Sequence, residues 1–370
     1  MKKPPTDNVK DTSAIGASPF DAPALHFPPV HFLVQQGQQM WAEWTKHLAE
    51  FPQPDKIHCE RELVYSQNKL QLYHYKPLRK KVNPVPLLIS FALVNRPYIL
   101  DLQPDRSLIH ALLKAGVDVY LIDWGYPTLD DKDLRLEDYI LNYLDNCVDY
   151  VANARGKTAI NLLGICQGGT LSLCYSSLFP EKINKLITMI SNVDFHTEDN
   201  TLTELAKNMD MEKITDYYGN MPGWLLNQVL FSLKPNASHW LKYKRALQEK
   251  DQEKTDNFLR MEHWIWDTPD QAGKAFVQYI TQFYQQNLLI KGEIHLDNKR
   301  VDLKNITMPV LNVYALKDDI VPASAASSLR NYIHKGKYSE CTFDGGHIGI
   351  YVSRKAQEDI PPKIAKWLLE

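Results

Sequence analysis

Apolar residues fall in two patterns along this chain, and they alternate with helical segments. Residues 69–75 (KLQLYHY) alternate one by one, as an exposed or edge strand with one covered face does. Residues 85–94 (VPLLISFALV) and 117–123 (VDVYLID) are apolar almost throughout, the pattern of central parallel strands covered on both faces. Between them, residues 107–115 predict a helix stopped by Gly116, and residues 136–154 predict a second, amphipathic helix. Further strands are predicted at 158–165, 185–191 (KLITMIS) and 309–315 (PVLNVYA). Strand and helix in alternation predict a doubly wound, mostly parallel α/β sheet.

The alternation stops twice. Residues 1 to about 30 are polar and rich in proline, and 31–50 predict a helix with an apolar face that includes Phe32, Trp41 and Trp44. The stretch from about 195 to 300 is helical, turn-rich and aromatic, with Tyr217, Trp224, Trp240, Trp264 and Tyr284 among its rings. The predicted organisation is an N-terminal arm and helix (1–55), an α/β core in two pieces (56–194 and 301–370) and a cap inserted between them (195–300). Most of the aromatics in the cap are expected to be ordinary core.

Composition narrows the class. With 370 residues and 44% apolar content the chain can build one large core with an insertion. A formal net charge of −2, no basic stripe and no zinc-ligand spacing exclude an electrostatic case for nucleic acid. The five cysteines, at 59, 147, 166, 174 and 341, form no C-x-x-C, so neither a disulfide framework nor a structural zinc is expected, and no cofactor is predicted. No apolar run approaches the ~18 residues of a membrane span, and no secretory signal is visible at the N-terminus. A cytoplasmic setting is the expectation.

One of those cysteines stands apart. Gly164-Ile165-Cys166-Gln167-Gly168-Gly169 follows the strand predicted at 158–165 and precedes a helical stretch, giving strand, sharp turn and helix with a sulfur at the turn. This is the nucleophile elbow of α/β-hydrolases, with Cys in place of the usual Ser. Flanking glycines suit it, because the elbow backbone is strained and neighbouring Cβ atoms would clash. A buried, inert cysteine is the alternative, so the rest of a triad is required. In this fold the order is nucleophile, acid, histidine. Asp318 lies in Asp318-Asp319-Ile320-Val321-Pro322 after the strand at 309–315, and His347 in the glycine-flanked loop Gly345-Gly346-His347-Ile348-Gly349. An imidazole that takes the thiol proton raises its nucleophilicity, and a carboxylate holds that imidazole in the right tautomer. Asp319, next in line, could take the acid role; the register with Val321-Pro322 favours Asp318. The oxyanion donors predicted are the backbone N–H groups of Gln167 and, in the loop after 85–94, Val94. Asp123, beside Trp124-Gly125, is read as structural; Asp194 is a further candidate, and His196 has no evident partner.

Taken together with Ala92-Leu93-Val94-Asn95-Arg96-Pro97-Tyr98, Tyr120-Leu121-Ile122-Asp123-Trp124-Gly125, Trp264-Ile265-Trp266-Asp267-Thr268-Pro269 and Gly345 to Tyr351, these residues resemble polyhydroxyalkanoate synthases. The nearest resemblance is to the catalytic subunit of the two-component class III enzymes, from about residue 60 to the C-terminus. It implies polymerisation of (R)-3-hydroxyacyl-CoA, in the first place 3-hydroxybutyryl-CoA, with release of coenzyme A and the chain carried on Cys166. It also implies a second, non-catalytic subunit, a homodimer and attachment to polyester granules. Two positions depart from the family pattern. Asp319 stands where His is common after the acid, and Asp344 where Pro is common before Gly345. Their added negative charge is expected to favour the imidazolium of His347. Two other readings stay open: a thiol hydrolase acting on esters or thioesters, and an inactive granule-coating scaffold.

Overall fold

A computed structural model describes residues 58–233 and 251–370. The arm and helix expected over 1–55, and Trp240 of the insertion, lie outside the described residues. The apolar runs pair into one eight-stranded sheet: β1 (Arg61–Gln67), β2 (Leu70–Tyr75), β3 (Leu87–Ser90), β4 (Val119–Asp123), β5 (Ile160–Ile165), β6 (Ile183–Met189), β7 (Val310–Ala315) and β8 (Tyr338–Phe343). Their spatial order is β1-β2-β4-β3-β5-β6-β7-β8. From β4 to β8 every pairing is parallel, while β1–β2 and β2–β4 are antiparallel. The alternating strand β2 is therefore not at the edge; β1, with its polar sequence, takes that place.

The two-residue period of the strands sorts their side chains onto two cores. Leu88, Tyr120, Leu162 and Leu186 face one cluster, which helices α2 (Asp145–Ala154) and α3 (Gln167–Leu178) cover. Leu87, Ile89, Leu121 and Leu163 face the other, covered by α1 (Leu108–Ala115) and the C-terminal helix α9 (Arg354–Leu369). Both faces of the parallel strands are thus dry, which is why their sequences do not alternate. The helix predicted at 107–115 starts where the Ser107 hydroxyl accepts the His110 N–H at 2.8 Å. It stops where Gly116 adopts a left-handed φ of 93°. The amphipathic segment at 136–154 opens with π-helical turns over Asp138–Leu144, which carry Tyr139 and Tyr143 into the core, edge to face, before α2 begins.

Between β6 and β7 the chain leaves the sheet and forms α4 (Thr201–Ala206), α5 (Met211–Tyr218), α6 (Gly223–Ser232), α7 (Gln252–Trp266) and α8 (Gly273–Tyr279). Tyr279 and Phe283 pack into the core, whereas Tyr217 and Trp224 are exposed. Among the described residues no helix is long and apolar enough to cross a membrane.

Candidate active site

The ends of β3, β5, β6, β7 and β8 carry the site. β5 runs apolar to Ile165, and Cys166 then turns with φ 54° and ψ −124°, a conformation that side chains rarely adopt. The turn is held from two sides. The Cys166 N–H donates to the Met189 carbonyl at 2.9 Å, and the Cys166 carbonyl accepts the Gly169 N–H at 2.9 Å as α3 starts. A Cβ on Gly168 would fall on the carbonyl oxygens of Ser90 and Phe91, and one on Gly169 on the Ser191 hydroxyl. Only glycines let the helix start this close to the neighbouring strand ends.

The Asp318 carboxylate, fully buried, lies 2.7 Å from His347 Nδ1. Its other oxygen accepts the N–H groups of Ile320 and Val321 at 2.9 and 2.8 Å, so the loop after β7 fixes the carboxylate before the imidazole meets it. Asp319 is exposed. Burial by itself lowers the His347 pKa; the charges of Asp318 and Cys166, with their hydrogen bonds to the ring, outweigh it and raise the value from 6.5 to about 10. Cys166, Asp318 and His347 are therefore brought together. The largest influences on the ring are burial, Asp318 and Cys166 rather than Asp344. Its carboxylate is exposed and pairs with Lys317 at 2.7 Å and Lys355 at 3.6 Å, and those lysines lower its own pKa.

The other four cysteines are free and buried, and burial raises the Cys59 and Cys174 thiols to about 12. Cys166 is the half-exposed one, opening on a cavity of about 510 Å³. Its walls come from the sheet edge (Phe91, Val94, Gln167) and from the insertion (Met209, Met221, Phe276) and are mostly apolar. Tyr279, Tyr284 and Tyr351 also line it. Burial first, and the nearby Cys166 sulfur among the further causes, raises the pKa of all three phenols and keeps them neutral. No pattern in the sequence marked Tyr279 or Tyr284 out from the other rings of the insertion.

The predicted oxyanion donors, Val94 and Gln167, both line this cavity. The Gln167 side chain braces the loop by accepting the Leu93 N–H at 3.2 Å. Asn95, left-handed at φ 60°, donates to Thr268 Oγ1 at 2.6 Å and to the Ile265 carbonyl at 3.1 Å, tying the loop to the end of α7. Arg96 reaches the Gly125 carbonyl at 2.6 Å and Asp123 at 2.7 Å, so Asp123 serves as a brace. His196 has a partner after all: its Nε2 meets the Tyr284 carbonyl at 2.8 Å. Among the described residues no cluster of His, Cys, Asp and Glu could hold a metal ion.

Residues 97–353 match the model of the alpha/beta hydrolase fold, and residues 55–112 match that of the poly-beta-hydroxybutyrate polymerase (PhaC) N-terminus. The poly(3-hydroxyalkanoate) polymerase subunit PhaC of Allochromatium vinosum is 51% identical over 84% of this chain and 88% of its own length. The chain belongs to the PhaC polymerase family. Its counterpart in Synechocystis is 48% identical, with 84% of each chain covered. A serine hydrolase from Cycloclasticus zankles, 14% identical, superposes with a TM-score of 0.50 over 84% of this chain and 98% of its own, a likeness of fold. The α/β-hydrolase fold expected from the elbow is the fold observed. Family membership makes the chain an enzyme.

Proposed function

We propose that this protein polymerises (R)-3-hydroxyacyl-CoA, and 3-hydroxybutyryl-CoA in particular, into polyester through thioesters on Cys166. The observation that carries the reading is the buried Asp318–His347 pair, 2.7 Å apart, beside a strained cysteine that opens on an apolar cavity. In acylation His347 takes the thiol proton and the sulfur attacks the thioester carbonyl. The N–H groups of Val94 and Gln167 meet the oxyanion that forms. As the intermediate collapses, the carbon–sulfur bond to coenzyme A breaks and the leaving sulfur takes the proton back from His347. In elongation His347 takes the proton of the 3-hydroxyl of an incoming hydroxyacyl-CoA. That oxygen attacks the Cys166 thioester, an ester bond forms, and Cys166 leaves as a thiol. The lengthened chain, now a coenzyme A thioester, acylates Cys166 again and expels coenzyme A.

A synthase must offer the acyl-enzyme a hydroxyl and deny it water. The apolar walls contributed by the insertion support that, and the insertion is proposed as the cap of a catalytic core formed by 56–194 and 301–370. The relatives are named as a subunit, which supports a second, non-catalytic chain; a homodimer, a cytoplasmic location and granule attachment belong to the same proposal. The test incubates the protein, with and without its second subunit, with 3-hydroxybutyryl-CoA and follows free thiol and insoluble polymer. Polymer accompanying thiol release supports the reading, and free 3-hydroxybutyrate with no polymer assigns hydrolysis instead.

A further inference from the structure

The mechanism leaves one buried polar side chain beside Cys166 unused. Asn192 is 3% exposed and lines the same cavity as Cys166, yet among the described residues neither its carboxamide nitrogen nor its oxygen has a hydrogen-bond partner. Buried carboxamides ordinarily find partners, so one that faces a cavity without any is matched to something that enters the cavity. The Tyr284 hydroxyl is near enough for its titration to respond to Asn192, but no hydrogen bond of full geometry joins them.

The backbone goes to some length to place this residue. Directly after β6, Ile190 takes a left-handed φ of 44°, rare for a β-branched residue. That turn packs Ser191 on Gly169 and brings the Asn192 carbonyl to the Thr170 hydroxyl, which donates to it at 2.9 Å. Tyr284 is held from the same segment: His196 Nε2 meets the Tyr284 carbonyl, and Asp194 accepts from Asn287 Nδ2 at 2.8 Å. His196, which has no place in the triad, thus holds the Tyr284 backbone, and Asp194 ties the same segment to Asn287.

A carboxamide offers one kind of donor and one acceptor, and a phenol offers both, which complements a hydroxyl that must donate and accept. We propose that Asn192 and Tyr284 clamp the free 3-hydroxyl of an (R)-3-hydroxyacyl-CoA monomer as it first acylates Cys166, and so select 3-hydroxyacyl over plain acyl thioesters. The inference rests on the acyltransferase reading above. Sites that hydrogen-bond a substrate hydroxyl reject the analogue lacking it strongly, because their own polar groups are then left unpaired.

The test measures single-turnover coenzyme A release, as kcat/KM, from (R)-3-hydroxybutyryl-CoA and from butyryl-CoA. The wild-type enzyme is expected to favour the hydroxylated substrate by about 100-fold or more. Asn192→Leu, near in shape, and Tyr284→Phe, which deletes one oxygen, are each expected to bring the ratio below about 10-fold by slowing the hydroxylated substrate. Melting temperatures report folding, and if Asn192→Leu does not fold, Tyr284→Phe decides. A wild-type enzyme without preference, or variants that keep the wild-type ratio, overturn the clamp while leaving the acyltransferase reading intact. No coenzyme A release from either substrate by the wild-type enzyme together with its second subunit overturns that reading, and the clamp with it.

Discussion

Replacing Asp318 by Asn should cost far more activity than replacing Asp319, and the structure says how much. His347 moves from 6.5 to about 10 against the opposing pull of burial, with Asp318 and Cys166 supplying the rise. At about 1.4 kcal/mol per tenfold change, that is roughly 5 kcal/mol in favour of the imidazolium. Among the causes that raise the value the Asp318 charge is the largest, and the carboxylate lies 2.7 Å from Nδ1, so its loss removes a large part of that stabilisation. Asparagine adds a second cost. It can turn an N–H toward Nδ1 and hold the ring in the wrong tautomer, and at triads of this kind the two costs together reach ~10³- to 10⁴-fold in kcat. Asp319 is exposed, so Asp319→Asn should stay within about threefold. The assay is coenzyme A release from 3-hydroxybutyryl-CoA at saturating substrate, with melting temperatures to establish that both variants fold. Equal losses in the two variants, or a larger one at Asp319, would refute the assignment.

Four further outcomes are expected. Once Cys166 is acylated its sulfur carries no charge, so His347 should titrate below about 10 in the acyl-enzyme; a pH–rate limb for elongation centred at or above 10 contradicts this. The His347 pKa is raised on folding, so its ion pair stabilises the fold fully below pH 6.5 and is lost as pH climbs through about 10; wild-type melting temperature should fall over that range more steeply than that of His347→Gln. Cys166→Gly removes the side chain from a backbone of φ 54°, and should raise stability by about 1–3 kcal/mol while abolishing coenzyme A release, whereas Gly168→Ala, which drives a methyl group onto the Ser90 and Phe91 carbonyls, should lower it by about 3 kcal/mol, both read by denaturant unfolding.

What could be read in advance followed the strength of local signals. The elbow was legible because glycines mark a backbone that only they permit, and His347 because glycines flank its loop at the end of β8. The parallel strands were legible as a class, but not their limits. The apolar run at 85–94 yields only Leu87–Ser90 as strand, since its remainder is the loop that Gln167 and the end of α7 hold. Apolar content reports burial and does not separate a buried strand from a buried loop. The alternation of β2 suggested an edge; it stems from a strand lying between β1 and β4 with its two faces unequally covered. The register with Val321-Pro322 favoured Asp318 over Asp319, and the turn buries the Asp318 carboxylate while leaving Asp319 exposed. Asn192 was invisible because the turn that aims it is made by an isoleucine, with no glycine to announce it.

The acyl group that Cys166 is proposed to carry can be sought directly. Rapid quenching after one equivalent of 3-hydroxybutyryl-CoA, followed by mass spectrometry of the proteolysed chain, should find a hydroxybutyryl thioester on the peptide that contains Cys166. That adduct should be absent from Cys166→Ala, which should also make no polymer. An unmodified Cys166 peptide while polymer accumulates, or polymer made by Cys166→Ala, would contradict the central claim.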